Sequence, residues 1–321
     1  MVKNCRITGG SGFMGTNLKT YLKERNFGAD ALERNKLHAV IPEYLNSYDT
    51  IVHLAGLAHD LKQGLSATEY YHINFGLTKD LFDAFLVSSA KKFIFVSSVK
   101  AVADQVSDIL TEDEVPNPQT DYGKSKLMAE QYISEQVLPE GKQVYILRPC
   151  MTHGKGNKGN LNLLFKVVSS GLPYPLAAFE NKRSFLSIQN FCFIIKEIID
   201  RDNFPSGTYN IADDDPLSTN KVVSILSISL GKDPSLLKIP KQIIQFLGKI
   251  GTFLNLPFNT ERLNKLTESY IVSNTRIKLA LNKPFPLSSA AGLKVTADAF
   301  ISSVIKEEIP KNVLLPWIQI K

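Results

Sequence analysis

Tyr122 and Lys126 stand four residues apart in Asp121-Tyr-Gly-Lys-Ser-Lys-Leu-Met-Ala-Glu130. On a helix, side chains at that spacing share a face, so a phenol and an ammonium reach one pocket. A free tyrosine titrates near pH ~10. A cation about 4 Å away, at an effective dielectric of ~20, favours the phenolate by roughly 4 kcal/mol before desolvation. A tyrosine drawn toward neutrality in this way takes a proton from a hydroxyl or returns one to a ketone. Ser98 is the third candidate. It ends the apolar run Lys92-Phe-Ile-Phe-Val-Ser-Ser98, which reads as a buried strand, and its hydroxyl can bond the same substrate oxygen as Tyr122.

These groups need a scaffold, and the chain opens with one. A short strand over residues 2–8 runs into Gly9-Gly-Ser-Gly-Phe-Met-Gly15, and a helical pattern follows over residues 16–24. In such a strand–turn–helix, one glycine permits the tight turn, one admits a pyrophosphate and one lets the helix pack on the strand. The helix N-terminus adds free N–H groups and a partial positive charge. A second strand over residues 27–34 carries Glu33, suited to ribose hydroxyls and NAD, and Arg34, suited to a 2′-phosphate and NADP. Asp49-Thr-Ile-Val-His-Leu-Ala-Gly56 reads as a buried strand ending in small residues, and residues 69–87 as a helix bearing Asn74 and Thr78. Val144-Tyr-Ile-Leu-Arg-Pro149 is a further strand. The alternation predicts an α/β fold, a doubly wound parallel sheet. Residues 1–160 form its dinucleotide-binding domain, to which 185–215 return. Residues 161–184 and 216–321 form a smaller, mostly helical substrate domain.

The 321 residues carry a net charge of +6, which suits an anionic substrate, but the lysines are scattered and no nucleic-acid patch is expected. Cys5, Cys150 and Cys192 lack metal-ligand spacing and read as reduced thiols of a cytoplasmic protein. No metal is expected, so Asp213-Asp-Asp215 reads as a solvated turn. His53 reads as a core histidine, and His59 and His153 as cleft residues. The stretch from Lys241 to Leu254 is amphipathic and basic; it suits either a membrane surface or packing on its own domain, and packing on its own domain is the preferred reading over membrane contact.

Taken together, the pieces resemble the extended short-chain dehydrogenase/reductase superfamily, in its NAD-dependent nucleotide-sugar epimerase/dehydratase branch. The likeness rests on Thr8-Gly-Gly-Ser-Gly-Phe-Met-Gly15, His53-Leu-Ala-Gly56, Asn74 with Thr78, Val96-Ser-Ser98, Tyr122 with Lys126, and Leu147-Arg-Pro149. The resemblance implies NAD or NADP over the glycine turn, held by Gly9, Gly12, Phe13, Met14, Gly15, Leu54, Ala55, Gly56, Asn74, Lys126 and Pro149, with Glu33 or Arg34 at the ribose. It implies Tyr122 as acid/base with Ser98 as its partner, and Lys126 on the nicotinamide ribose. It also implies a UDP-sugar touching Ser98, Tyr122, Asn160 and Arg183, oxidised or reduced at C4, and a homodimer. Lys155 and Lys158 are further candidates for the diphosphate.

The chain departs from the branch at Val99 and Lys100, where 4,6-dehydratases carry an Asp-Glu pair, and dehydration is set aside. The Ser-Ser-Val-Lys variant inclines the reading to a 4-ketoreductase, with an NAD-retaining 4-epimerase as the alternative and a non-catalytic dinucleotide sensor as the third.

Overall fold

The computed structural model describes residues 3–57, 66–157, 160–254, 256 and 259–308. Its strands are β1 (Asn4–Thr8), β2 (Gly28–Ala31), β3 (Thr50–His53), β4 (Lys92–Val96), β5 (Ile109–Leu110), β6 (Gln143–Pro149), β7 (Met151–His153), β8 (Phe185–Ser187), β9 (Gly207–Ile211) and β10 (Ile271–Val272). Six of them make one all-parallel sheet in the order β2-β1-β3-β4-β6-β9. The sheet grows from β1 to β2 in one direction and from β1 to β3 in the other. The carboxyl ends of β1 and β3 therefore flank the switch point, where open α/β sheets form their ligand crevice.

The helices are α1 (Phe13–Lys23), α2 (Arg34–Leu37), α3 (Ala67–Tyr70), α4 (Leu77–Val87), α5 (Asp121–Glu135), α6 (Asn160–Ser169), α7 (Ile188–Asp200), α8 (Thr219–Ser229), α9 (Lys241–Phe253), α10 (Thr260–Thr267), α11 (Thr275–Leu281) and α12 (Ser289–Glu308). A π-helical turn, Tyr71–Gly76, joins α3 to α4.

Strand periodicity decides which helices cover which face. On β4, Phe93 and Phe95 pack with Leu81, Phe82 and Phe85 of α4 and with Ala129 and Ile133 of α5. Ile94 and Val96 point the other way, toward Leu18 and Leu22 of α1 and Phe191, Ile195 and Ile198 of α7. Each such side chain, fully buried, contributes roughly 1.5–3 kcal/mol. The sheet is thus doubly wound.

A third cluster holds α6, α8, α10 and α12 together through Leu161, Val222, Leu226, Leu263, Leu293 and Phe300. Residues 216–321 do not all stay with it. Tyr270, Val272, Ile277 and Leu281 pack in the sheet's own core, because β10 pairs with β5 and α11 lies near β9. No described helix is long and apolar enough to cross a membrane.

Candidate active site

The glycine turn is built by close approach. Gly9 has φ +67°, and a Cβ there would stand 2.7 Å from the Ala55 nitrogen, so only glycine lets the ends of β1 and β3 run side by side. A Cβ on Gly15 would meet the Gly9 carbonyl, so this glycine seats α1 on the turn. Gly12 is the N-cap of α1, with extended backbone and no side-chain cap. Its added Cβ would find only the Gly9 oxygen, at 3.3 Å, within 4 Å. The first-turn N–H groups of α1 are therefore left to an incoming anion. This cradle fits the pyrophosphate of a dinucleotide.

Around it, Phe13 lies against Gly154 and Gly156, and Met14 packs on the sheet core. Leu54 and Ala55 are half-buried, Gly56 is exposed, and Pro149 is buried at the end of β6. Glu33 precedes α2, exposed and 3.7 Å from the Lys36 ammonium; Arg34 beside it is exposed.

Behind the turn runs a buried chain of hydrogen bonds. The N–H groups of Leu54 and Ala55 donate to Thr8 Oγ1 at 3.2 and 3.1 Å. Its own proton then goes to His53 Nδ1 at 2.6 Å. That leaves Nε2–H to donate to Thr78 Oγ1 at 2.9 Å, and Thr78 donates to the Asn74 carbonyl at 2.7 Å. Burial, with the charge of Lys126 adding to it, pushes His53 down to about 3, so the ring is neutral, as the tautomer requires.

Asn74 departs from its expected role. It is fully buried, accepts from Leu57 N at 2.8 Å, and spends its amide hydrogens on Leu57 O (3.2 Å) and Ser125 Oγ (3.1 Å). It is an anchor that fixes the Gly56 strand end to α5 and has no hydrogen left for a cofactor. Ser125 passes the restraint on, donating to the Tyr122 carbonyl at 2.8 Å.

Gly123 brings the reactive groups together. A Cβ there would stand 2.8 Å from Pro118 Cβ and would meet the Lys100 carbonyl. Its absence lets α5 start against the short turn Val99–Ala101. Ser98, 8% exposed, is the N-cap of that turn and accepts from Lys100 N at 3.2 Å. Its side chain is hydrogen-bonded to the Tyr122 hydroxyl, and Tyr70 meets the Tyr122 ring edge-on with centroids 6.2 Å apart.

In the cofactor-free chain, burial dominates the electrostatics of Tyr122 and Lys126. Burial holds the Tyr122 phenol above its usual range; the Ser98 bond offsets part of this, and Tyr70 adds to the rise. The Lys126 ammonium donates to the Val96 carbonyl at 3.1 Å, stands 5.0 Å over the Phe95 ring and closes on Gly56. Burial pushes Lys126 down to about 8, opposed by Glu130 one turn on.

Glu130 is a residue the motif spacing did not flag. It is buried and takes Arg148 Nε and Nη2 at 3.0 and 2.6 Å, which clamps α5 to β6. Only its i+4 offset from Lys126 hinted at such a role. Lys100 turns away from Ser98, donating to the Asp104 carbonyl at 2.7 Å and lying 4.3 Å over the Tyr270 ring.

The expected substrate residues are placed less simply. Arg183 is no open fork: Nε donates to Glu268 O at 3.1 Å, and Nη2 to the Lys265 carbonyl. Asn160 begins α6, and Lys158 and His59 lie outside the described residues. His153 does not line a cleft. It is fully buried, bonded to Thr296 at 2.8 Å, and burial pushes it down to about 4. Asp213 is likewise no solvated turn. It accepts from Ser187 N and Asn190 Nδ2 at 2.9 and 2.7 Å, and burial pushes it up to about 6.

The chain matches the NAD dependent epimerase/dehydratase family over residues 5–212. It is 29% identical to a UDP-glucose 4-epimerase of Vibrio cholerae, over 94% of this chain and 97% of that one. It is 28% identical to an N-acetyl-α-D-glucosaminyl-diphospho-ditrans,octacis-undecaprenol 4-epimerase of Escherichia coli O157:H7, over 87% and 85%. Its fold matches the crystal structure of UDP-N-acetylglucosamine 4-epimerase from Bacillus cereus with a TM-score of 0.73 and 23% identity, covering 92% of this chain and 98% of that one. With the glycine cradle and the Ser98–Tyr122 pair at one sheet edge, these matches show that the chain belongs to the NAD-dependent epimerase/dehydratase family of enzymes.

Proposed function

We propose that the protein is a 4-epimerase of a diphosphate-activated hexose, a UDP-sugar in the first instance. The observation that carries this is the hydrogen-bonded Ser98–Tyr122 pair, beside Lys126, at the edge that holds the glycine cradle. A bound nicotinamide would supply the hydride acceptor and donor for C4. Gly12 and the first turn of α1 would hold the pyrophosphate, and Lys126, beside exposed Gly56, would hold the nicotinamide ribose.

Tyr122 carries the proton. Ser98 orients the sugar hydroxyl and the phenol toward each other. As the alcohol becomes a ketone, Tyr122 takes the hydroxyl proton as a phenolate, a form in which the positive charge of Lys126 and of a bound nicotinamide would have to offset the burial that keeps the resting phenol protonated. Tyr122 returns that proton when the ketone is reduced from its other face. Lys126 supplies positive charge near the cofactor, and Glu130 favours that charge against burial. The clamp of Glu130 to Arg148 and the Thr8–His53–Thr78 chain keep these groups in register.

Epimerase is preferred over reductase because two relatives at 28–29% identity over at least 85% of both chains are named as 4-epimerases, whereas a dTDP-4-dehydro-6-deoxyglucose reductase aligned over 78% and 86% is 22% identical. The second name also carries a lipid diphosphate, so the carrier to be tested is either UDP or a polyprenyl diphosphate. A 4-ketoreductase is the second reading: the raised Tyr122 keeps its proton in the resting chain, ready for a ketone.

The test is cofactor behaviour. Purified protein, denatured and assayed for released NAD, should yield it, and should interconvert UDP-glucose with UDP-galactose, or their N-acetyl forms, without added nucleotide. Protein that releases no NAD and oxidises NADPH only with a 4-keto sugar is a reductase, and the epimerase assignment then fails.

A further inference from the structure

Helix α9 has two apolar faces, and only one is used. Ile244, Gly248 and Gly251 turn inward, where Gly248 lies against Leu263 and Thr260 of α10. Ile243, Phe246, Leu247, Phe253 and Leu254 face outward, with Phe253 87% and Phe246 63% exposed. At 100° per residue these five fall within one arc of about 120°, so they form a continuous stripe. Leu266 of α10, 49% exposed, adds to the same pair of helices.

Helix α9 and its flanks are basic, while α10 beside it carries exposed Glu261 paired with Lys265. From residue 234 to 260 the sequence has no acidic residue and carries Lys238, Lys241 and Lys249. Lys249 stands one turn before Phe253, at the border of stripe and polar face. Lys241 lies on the far side of the helix, over the Phe179 ring. An apolar stripe bordered by a lysine, on a helix too short to span, is the pattern of a helix lying in a lipid interface, and a lysine at that border is attracted by anionic headgroups.

We infer that the α9–α10 face docks on an anionic membrane surface. Docking here would also orient the active site. Helix α10 leads directly into Glu268 and Tyr270. The Tyr270 hydroxyl donates to the Ala103 carbonyl at 2.7 Å, just past the turn that Ser98 caps.

Vesicle sedimentation of the full chain tests this. It should pellet with phosphatidylglycerol-containing vesicles and stay in solution with pure phosphatidylcholine, and raising salt from about 0.1 to about 1 M, where the Debye length falls from ~10 to ~3 Å, should weaken the capture. A Phe246→Ser/Phe253→Ser variant should bind those vesicles at least about tenfold more weakly, with turnover of a soluble UDP-sugar unchanged. Wild-type protein that stays in solution with both vesicle types overturns the inference. So does a dimeric wild type that the double substitution turns into a monomer, since the stripe is then a contact between copies. If the wild type pellets with anionic vesicles but turns over no sugar, docking stands and the functional proposal fails.

Discussion

At the carboxyl edge of the sheet, polar groups are buried and satisfied by one another; on the outer face of α9, apolar groups are exposed and packed against nothing described. Thr8, His53, Thr78 and Asn74 are all fully buried, and each has its partner. Phe253 and Phe246 lie mostly in solvent. Buried polar groups of this kind are costly unless every member is paired, and once paired they fix a single geometry. Exposed apolar stripes give up stability that burial would supply, and mark a surface kept for contact. The first region is built for position, the second for association.

Substitutions can break this contrast or sharpen it. The largest effect belongs to Tyr122→Phe: turnover should fall by roughly 10²–10⁴, with NAD binding by calorimetry unaltered. Equal turnover would remove Tyr122 from the proton path.

Lys126→Met should also abolish turnover, yet make the cofactor-free protein more stable at pH 7. The folded state holds this ammonium down at about 8 against 10.5 for the free group, so near neutrality a buried charge is carried at a cost of roughly 3 kcal/mol. Between pH 8 and 10.5 the unfolded chain binds the extra proton, and wild-type stability rises with pH. The advantage of the variant should therefore shrink across that window in urea titrations. An advantage that is flat with pH would contradict the buried charge.

Gly9→Ala combines a positive φ, costing about 1–2 kcal/mol, with a Cβ pressed on Ala55. It should weaken NAD binding at least about tenfold through the displaced turn. Thr78→Val leaves His53 Nε2–H without an acceptor and should cost about 1–3 kcal/mol in chemical denaturation; no change would show the buried chain to be idle. Smallest of all, Phe246→Ser should move stability by no more than ~0.5 kcal/mol, whereas Phe93→Ala in the core should cost about 3–5 kcal/mol. A large loss at Phe246 would mean that the stripe is packed after all.

Much of the first half was legible because its signals are local. The Gly9–Gly15 turn, the strand ends at Gly56, Ser98 and Pro149, and the i,i+4 pair on α5 each need only neighbouring residues to be read. The sequence missed what depends on distant partners. Asn74 looked like a cofactor ligand, but its amide is claimed by Leu57 and Ser125. Arg183 looked like a diphosphate fork, but its guanidinium is spent on the end of α10. His153 and Asp213 looked exposed in a polar stretch, and α7 and α12 bury them.

By itself, then, the sequence determined the doubly wound sheet, the dinucleotide turn and the Ser98, Tyr122 and Lys126 set, because periodicity and short spacings dictate which face and which strand end a residue occupies. Tertiary structure alone decided where each charge points. The ammonium of Lys126 turns to the Val96 carbonyl and Gly56, and the Tyr122 phenol answers to burial and Ser98. Charge depends on desolvation and on partners distant in the chain, as Gly56 is from Lys126 and Thr296 from His153, and neither is written in a run of neighbours.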